Sequence, residues 1–339
     1  LPSSPNPAIS VVLSLLAVLT ACGPTGEEPP PATITPATAV ASPPAPGRPA
    51  GEIRPVDGAV TALIFDPATG SAVALSAAPA PALTVLPAAG GPARRIPVPP
   101  SANTLTGDGR GVAYLPARGG YHRVDLRSAA VTTVAVEGQR DTDFTAVAHR
   151  ADGRLVLGSA DGAVFTMSSE TQVAERLPIF ARVDALATVG NTTVVLDRAQ
   201  TSVTTIDAEG RGAEQALRAG EGATTLVADP AGRVLVADTR GEELLVFGTD
   251  PLVMRQRYPV SGGPYGLAGS AGLAWVSRTA VNDVVGYDLS TGIPVERARY
   301  PAVQQPNSMA FDDATGTLYV ASATGAGVQV IANATGGGR

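Results

Sequence analysis

The stretch TTLVADPAGRVLVADTRGEELLVFGTDPLVMRQRYPV (224–260) holds four short apolar runs, each bounded by polar or Asp/Gly-rich residues. The same grammar recurs along the chain. VTALIFDPATG (60–70) and NSMAFDDATG (307–316) repeat the first run with its turn. LAWVS (273–277) and TLYVAS (317–322) repeat the second, and VVGYD (284–288) and VQVI (328–331) the third. RRIPV (94–98), ERLPI (175–179) and RARYPA (297–302) repeat the fourth. The copies follow one another about every 41 residues, seven times between about residue 58 and residue 339. Four short strands per unit at this period predict an all-β fold, a seven-bladed β-propeller of four-stranded antiparallel blades.

Aligned units expose columns. The start of the first strand reads Thr61, Asn103, Thr145, Asp184, Thr224, Tyr265 and Asn307, polar throughout. Two residues on stand Leu63, Leu105, Val147, Leu186, Leu226, Leu267 and Met309, apolar throughout. Small residues lie between, as the innermost strand needs where blades crowd one axis. The apolar column is expected to wedge between neighbouring sheets, because a lone four-stranded sheet cannot bury both faces. Pro97, Pro178, Pro259 and Pro301 mark the fourth strand as an edge strand, where a missing N–H faces solvent. The last unit has no such strand. Ile53-Arg54-Pro55-Val56 reads like Arg257-Tyr258-Pro259-Val260, so residues 52–57 are expected to close the last blade. The propeller is thereby assigned to residues 51–339.

Residues 8–21 (AISVVLSLLAVLTA) form one apolar run of about 14 residues. That is short of the roughly 20 residues of a membrane-spanning helix and fits the apolar core of a secretory signal. Its end, Leu19-Thr20-Ala21-Cys22, resembles the bacterial lipobox. The resemblance implies that residues 1–22 are a lipoprotein signal peptide and that Cys22 carries the lipid anchor. Residues 1–7 depart from the pattern in having no basic residue. Residues 23–50, rich in Pro, Ala and Thr without apolar periodicity, are expected to be a disordered, extended linker.

The 339 residues carry a net charge of −6, which argues against nucleic acid as a partner. All 24 basic residues are Arg, and the Ala/Gly/Pro excess suggests a high-GC genome, such as an actinobacterial one. One cysteine excludes an internal disulfide, and one cysteine with two histidines leaves no zinc-finger type of site.

The later units resemble the YVTN-type propeller repeat, which is similar to NHL and WD40 repeats. The residues that carry the likeness are Leu318-Tyr319-Val320, Tyr287-Asp288-Leu289-Ser290-Thr291-Gly292 and Gly262-Gly263-Pro264-Tyr265-Gly266-Leu267. The resemblance implies the fold and little about activity, since propellers host lyases, lactonases, oxidoreductases and binding scaffolds alike.

A site is expected at the channel mouth, where first strands start and second strands end. Asn103, Asp184, Tyr265 and Asn307 belong to its polar ring, and Arg118, Arg198, Arg240 and Arg278 stand just beyond the second strands. Guanidinium groups over a polar funnel suit an anionic small molecule or an envelope protein. The competing expectation is solvated loop arginines paired with Asp197, Asp238 or Asp283. Arg95, Arg176, Arg257 and Arg299 on successive outer strands offer a second surface. No GxSxG elbow, GxGxxG or phosphate loop occurs. His122 and His149 occupy non-equivalent positions, and Trp275 sits at a core position of its strand. The expected function is a monomeric, lipid-anchored protein of the cell envelope, on the outer face of the cell membrane. Its propeller would be a non-catalytic binding scaffold without cofactor or metal. The alternative is a metal-dependent lactonase or lyase, for which Asp184, Asn103 and Asn307 are the candidate metal-binding ring members.

Overall fold

A computed structural model of the chain describes residues 32–45, 47–76, 80–100 and 104–336, together with Leu1. Cys22, the apolar run before it and Asn103 lie outside the described residues. The body belongs to one compact unit, Pro31–Arg339. Its described residues form seven four-stranded antiparallel sheets and a single short 3-10 turn, Ala334–Gly336.

Six sheets are built from consecutive strands. In the fifth, Ala223–Ala228 pairs with Arg233–Asp238, which pairs with Glu243–Thr249, which pairs with Leu252–Pro259. The seventh sheet is composite. Pro306–Asp312, Thr317–Ser322 and Val328–Ile331 come from the C-terminal end, and Glu52–Arg54 supplies the outer strand. The register of that junction is Glu52 opposite Val330 and Arg54 opposite Val328. Gln329, fully buried, ties it further by donating from Nε2 to Ala50 O at 2.8 Å and to Pro301 O at 2.9 Å. The rim prolines Pro97, Pro178, Pro259 and Pro301 all end outer strands, where no fifth strand needs their N–H.

The core follows from this geometry. A blade is one sheet thick, so its apolar side chains can be buried only against the next blade. Buried residues accordingly form seven clusters, one at each blade–blade interface. The apolar column of the inner strands contributes one residue to each: Leu63 between the last and first blades, Leu226 between the fourth and fifth, Met309 between the sixth and seventh. Trp275 is fully buried between blades six and seven, 6.0 Å from the Phe311 ring and 6.3 Å from Tyr300. Phe65 stacks on Tyr319 at 5.7 Å, joining the first blade to the last. Burying side chains of this size is worth about 1.5–3 kcal/mol each. That sum is available only when all seven interfaces exist together.

Removing residues 51–57 deletes the outer strand of the last blade and exposes the edge of Val328–Ile331. The thermal midpoint is expected to fall by more than about 10 °C, since several ladder bonds and the Val56 contact are lost together. A deletion variant melting within about 2 °C of the parent protein would show that the ring does not depend on this junction.

Candidate functional site

The mouth is the face where inner strands begin and second strands end. A local device shapes it. In blades one, three, five, six and seven the pairing register shifts at the start of the inner strand, around Thr61, Thr145, Thr224, Tyr265 and Asn307. These are members of the polar column, so that column marks a recurring β-bulge, which bends the strand and re-aims a side chain. The bulged threonines bond to carbonyls of the second strand. Thr61 Oγ1 donates to Leu75 O at 3.3 Å, Thr145 Oγ1 to Gly158 O at 3.2 Å, and Thr224 Oγ1 to Ala237 O at 3.2 Å.

Three polar residues that end second strands, Asp197, Asp238 and Ser322, also have internal partners. Asp238 is fully buried; its carboxylate accepts from the backbone N–H of Glu221 and Gly222 at 2.8 Å and of Gly241 at 3.0 Å. Asp197 does the same for Ala181, Arg182 and Gln200, at 2.8, 3.1 and 2.9 Å. Ser322 Oγ donates to Gln304 O at 2.7 Å. Each of these side chains clips the loop entering a blade to the turn leaving its second strand.

The expected site residues separate accordingly. Asp184 accepts from Arg182 Nε at 3.2 Å and from the Arg198 backbone N–H at 2.9 Å. Asn307 accepts from Gln305 Nε2 at 2.9 Å, and Tyr265 is half-buried. Arg278 is paired with Asp283, which also receives Arg299 at 2.9 Å. Burial pushes the Asp283 carboxyl up, while the bond from Arg278 pulls it down. Arg118 is exposed and only loosely near Asp141, at 3.9 Å. The rim arginines are held locally: Arg176 by Asp161 at 3.3 Å, Arg257 by Glu243 at 2.7 Å, and Arg95 by Ala80 O at 2.8 Å. The four mouth arginines therefore do not converge on one point.

Arg198 and Arg240 point elsewhere, to residues 34–43 of the chain itself. This segment has neither helix nor strand, in keeping with its composition, and it lies along the mouth face of blades four to seven. Ile34 N–H donates to Ala199 O at 2.7 Å. Arg240 donates to Thr35 O at 2.8 Å, and Arg198 to Ala37 O. Gln305 Nε2 donates to Val40 O at 3.1 Å, while its Oε1 accepts from Ser42 N–H at 2.9 Å. Ser42 Oγ donates to Thr279 O at 2.6 Å, and Asn282 Nδ2 donates to Pro43 O at 2.8 Å. Gln304 Nε2 reaches the Pro43 carbonyl at 3.3 Å. Two glycines permit the close approach: a Cβ on Gly222 would stand 2.9 Å from the Ala37 Cβ, and one on Gly263 would stand 2.9 Å from Val40 Cγ2. Each neutral contact of this kind is worth about 1 kcal/mol net, and those from Arg somewhat more.

Sequence reasoning did not single out Gln304, Gln305 or Asn282. A signal exists in retrospect. Gln304-Gln305-Pro306 stands where the preceding unit has Gly262-Gly263-Pro264. Gln305 keeps the left-handed backbone of that glycine, φ 54° against 70° for Gly263. A non-glycine residue held there costs roughly 1 kcal/mol or more.

The two histidines lie away from the mouth. His122 is buried in the third strand of blade two, its Nδ1 3.0 Å from Thr133 Oγ1 and its Nε2 without a partner. His149 ends the inner strand of blade three, at the far end of the channel, beside a cavity of about 310 Å³ lined also by Leu105, Leu186 and Leu226.

No protein-family model matches the chain, and no curated protein matches it. Solved structures do. A streptogramin B lyase superposes with a TM-score of 0.68 at 11% identity, covering 84% of this chain and 97% of the lyase. The virginiamycin B lyase of Staphylococcus aureus gives 0.65 at 12%, covering 81% and 97%. Hydrazine synthase of Kuenenia stuttgartiensis gives 0.67 at 14%, covering 84% and 99%. At such identities the likeness establishes the seven-bladed β-propeller and nothing about activity.

Replacing Asp238 by Ala orphans three N–H groups and should cost about 3–5 kcal/mol, lowering the midpoint by about 10 °C in a thermal melt. Arg118→Ala should stay within about 0.5 kcal/mol. Equal losses in the two variants would refute the clip. Burial lowers the His122 pKa, so the unfolded chain takes up that proton first. Stability should therefore decline as pH drops below about 6.5, and the decline should end below the folded-state pKa. The midpoint difference between pH 7.5 and pH 5.5 is expected to shrink in His122→Gln; an unchanged difference would remove His122 from the acid response.

Proposed function

We propose that this chain is a lipid-anchored protein of the cell envelope, held at the outer face of the membrane through Cys22. Its YVTN/NHL-like propeller would be a monomeric, non-catalytic binding scaffold with the mouth as its working face. The lipobox-like Leu19-Thr20-Ala21-Cys22 and the Pro/Ala/Thr-rich stretch after it support the anchor. The observation that carries the scaffold reading is the use made of the mouth's polar groups. Threonine hydroxyls close bulges, Asp197 and Asp238 clip loops, and Arg198, Arg240 and Gln305 hold peptide carbonyls. Such a face binds by directed hydrogen bonds.

The lactonase or lyase alternative draws less support. Of its candidate metal-binding residues among those described, Asp184 and Asn307 already accept hydrogen bonds from Arg182, Arg198 and Gln305. A virginiamycin B lyase with one histidine replaced by alanine, solved with quinupristin, is catalytically inactive. Neither histidine of this chain stands at the mouth.

Two measurements test the reading. Cys22→Ser should move the protein from the membrane to the soluble fraction; retention in the membrane would defeat the anchor. Calcium and magnesium should leave the thermal midpoint of the purified chain unchanged. A rise of several degrees at about a hundred times a dissociation constant, worth roughly 2.7 kcal/mol, would transfer the assignment to the metal-dependent enzyme.

A further inference from the structure

We propose that the mouth face of blades four to seven is a groove that reads the backbone of an extended, proline-containing peptide, and that residues 34–43 are its resident occupant, displaceable by a peptide of the same kind. The proposal rests on the scaffold reading and names its ligand class.

The argument begins with what is gripped. The carbonyls of Thr35, Ala37, Val40 and Pro43 each accept from a side chain of the ring, from Arg240, Arg198, Gln305 and Asn282 in turn. A proline-rich segment has few N–H groups to donate and is pre-extended, so its carbonyls are the groups a receptor can use at low entropic cost. Side chains of the segment contribute little, since among residues 32–45 only Ala37 is buried. Ser42 supplies the one side-chain contact that fixes register, donating to Thr279 O and accepting from the Gln305 N–H at 3.0 Å. Recognition through carbonyls, with one buried alanine and one hydroxyl, defines a class of ligand and not a single sequence.

One side chain of the groove serves both the ring and the segment, since Gln305 Nε2 also donates to Asn307 Oδ1 at 2.9 Å. Gln305 holds a left-handed backbone at the position where the preceding unit has glycine. Glycine would relieve that strain, but it would have no amide to take Val40 O and Ser42 N–H.

The resident segment is an incomplete match. Arg198 Nε remains buried with no hydrogen-bond partner, and the Val40 side chain stays exposed. A ligand with an acceptor near Arg198 and a side chain turned toward the face would satisfy more of the groove. The resident segment holds its place through covalent connection, which supplies an effective concentration in the millimolar range.

The test uses the full chain with residues 33–44 replaced by a Gly/Ser segment of the same length, and a fluorescent peptide, TITPATAVASPP. Fluorescence anisotropy should show the peptide binding the replaced protein at about 10 µM and the parent protein about a hundredfold more weakly. Adding Gln305→Ala or Arg198→Ala to the replaced protein should abolish the binding. A replaced protein that melts normally and fails to bind would overturn the groove. Equal binding to both proteins would overturn the resident occupant. Should the replacement impair folding, Gln305→Gly in the intact chain serves instead, because glycine suits that backbone. Amide exchange over residues 34–42 should then quicken by about tenfold while the blade strands keep their protection; unchanged exchange would overturn the proposal. These outcomes are separate from a failed scaffold reading, which would appear as a divalent-cation shift without any effect at Gln305.

Discussion

Every cluster of buried apolar side chains in this ring joins two blades. A single blade has no interior, so the first blade depends on the last as fully as it does on the second. The contact of Phe65 with Tyr319 and the pairing of Glu52–Arg54 with Val328–Val330 therefore belong to the core in the same sense as Trp275 does. Closure is the condition under which the seven interfaces can form at all, and it explains why the N-terminal strand is spent on the C-terminal blade.

The same condition accounts for the mouth. Inner strands converge where blades crowd, and the chain meets that crowding with bulges at which Thr61, Thr145 and Thr224 bond to carbonyls of the second strands. The loops that step between blades have no ladder to fix them, and Asp197 and Asp238 fix them from within. The side chains that hold residues 34–43 stand on the same loops: two arginines, two glutamines and an asparagine.

The period, the apolar column, the rim prolines and the borrowed strand could be read in the sequence because each repeats, or matches a repeat, with a side-chain signature. Trp275 could be placed in the core for the same reason. The bulges could not be read, because a threonine that closes a bulge and one that faces a channel are the same letter. The arginines were seen as a group, yet Arg278 is taken by Asp283, five residues on, and Arg118 by no close partner. Residues 34–43 were the least legible. Composition shows that such a segment has too little apolar surface to fold, and it is silent about carbonyls, which every residue carries and which other parts of the chain can grip.

The segment along the mouth lies between whatever precedes it and the strand that closes the ring. A pull on the chain from its N-terminal side would reach the grips on Thr35, Ala37, Val40 and Pro43 before it reached Glu52–Arg54. These contacts would load one after another from the outermost inward, and each could let go and re-form without disturbing a blade. Mechanically the segment is a strain relief, placed ahead of the strand that closes the ring.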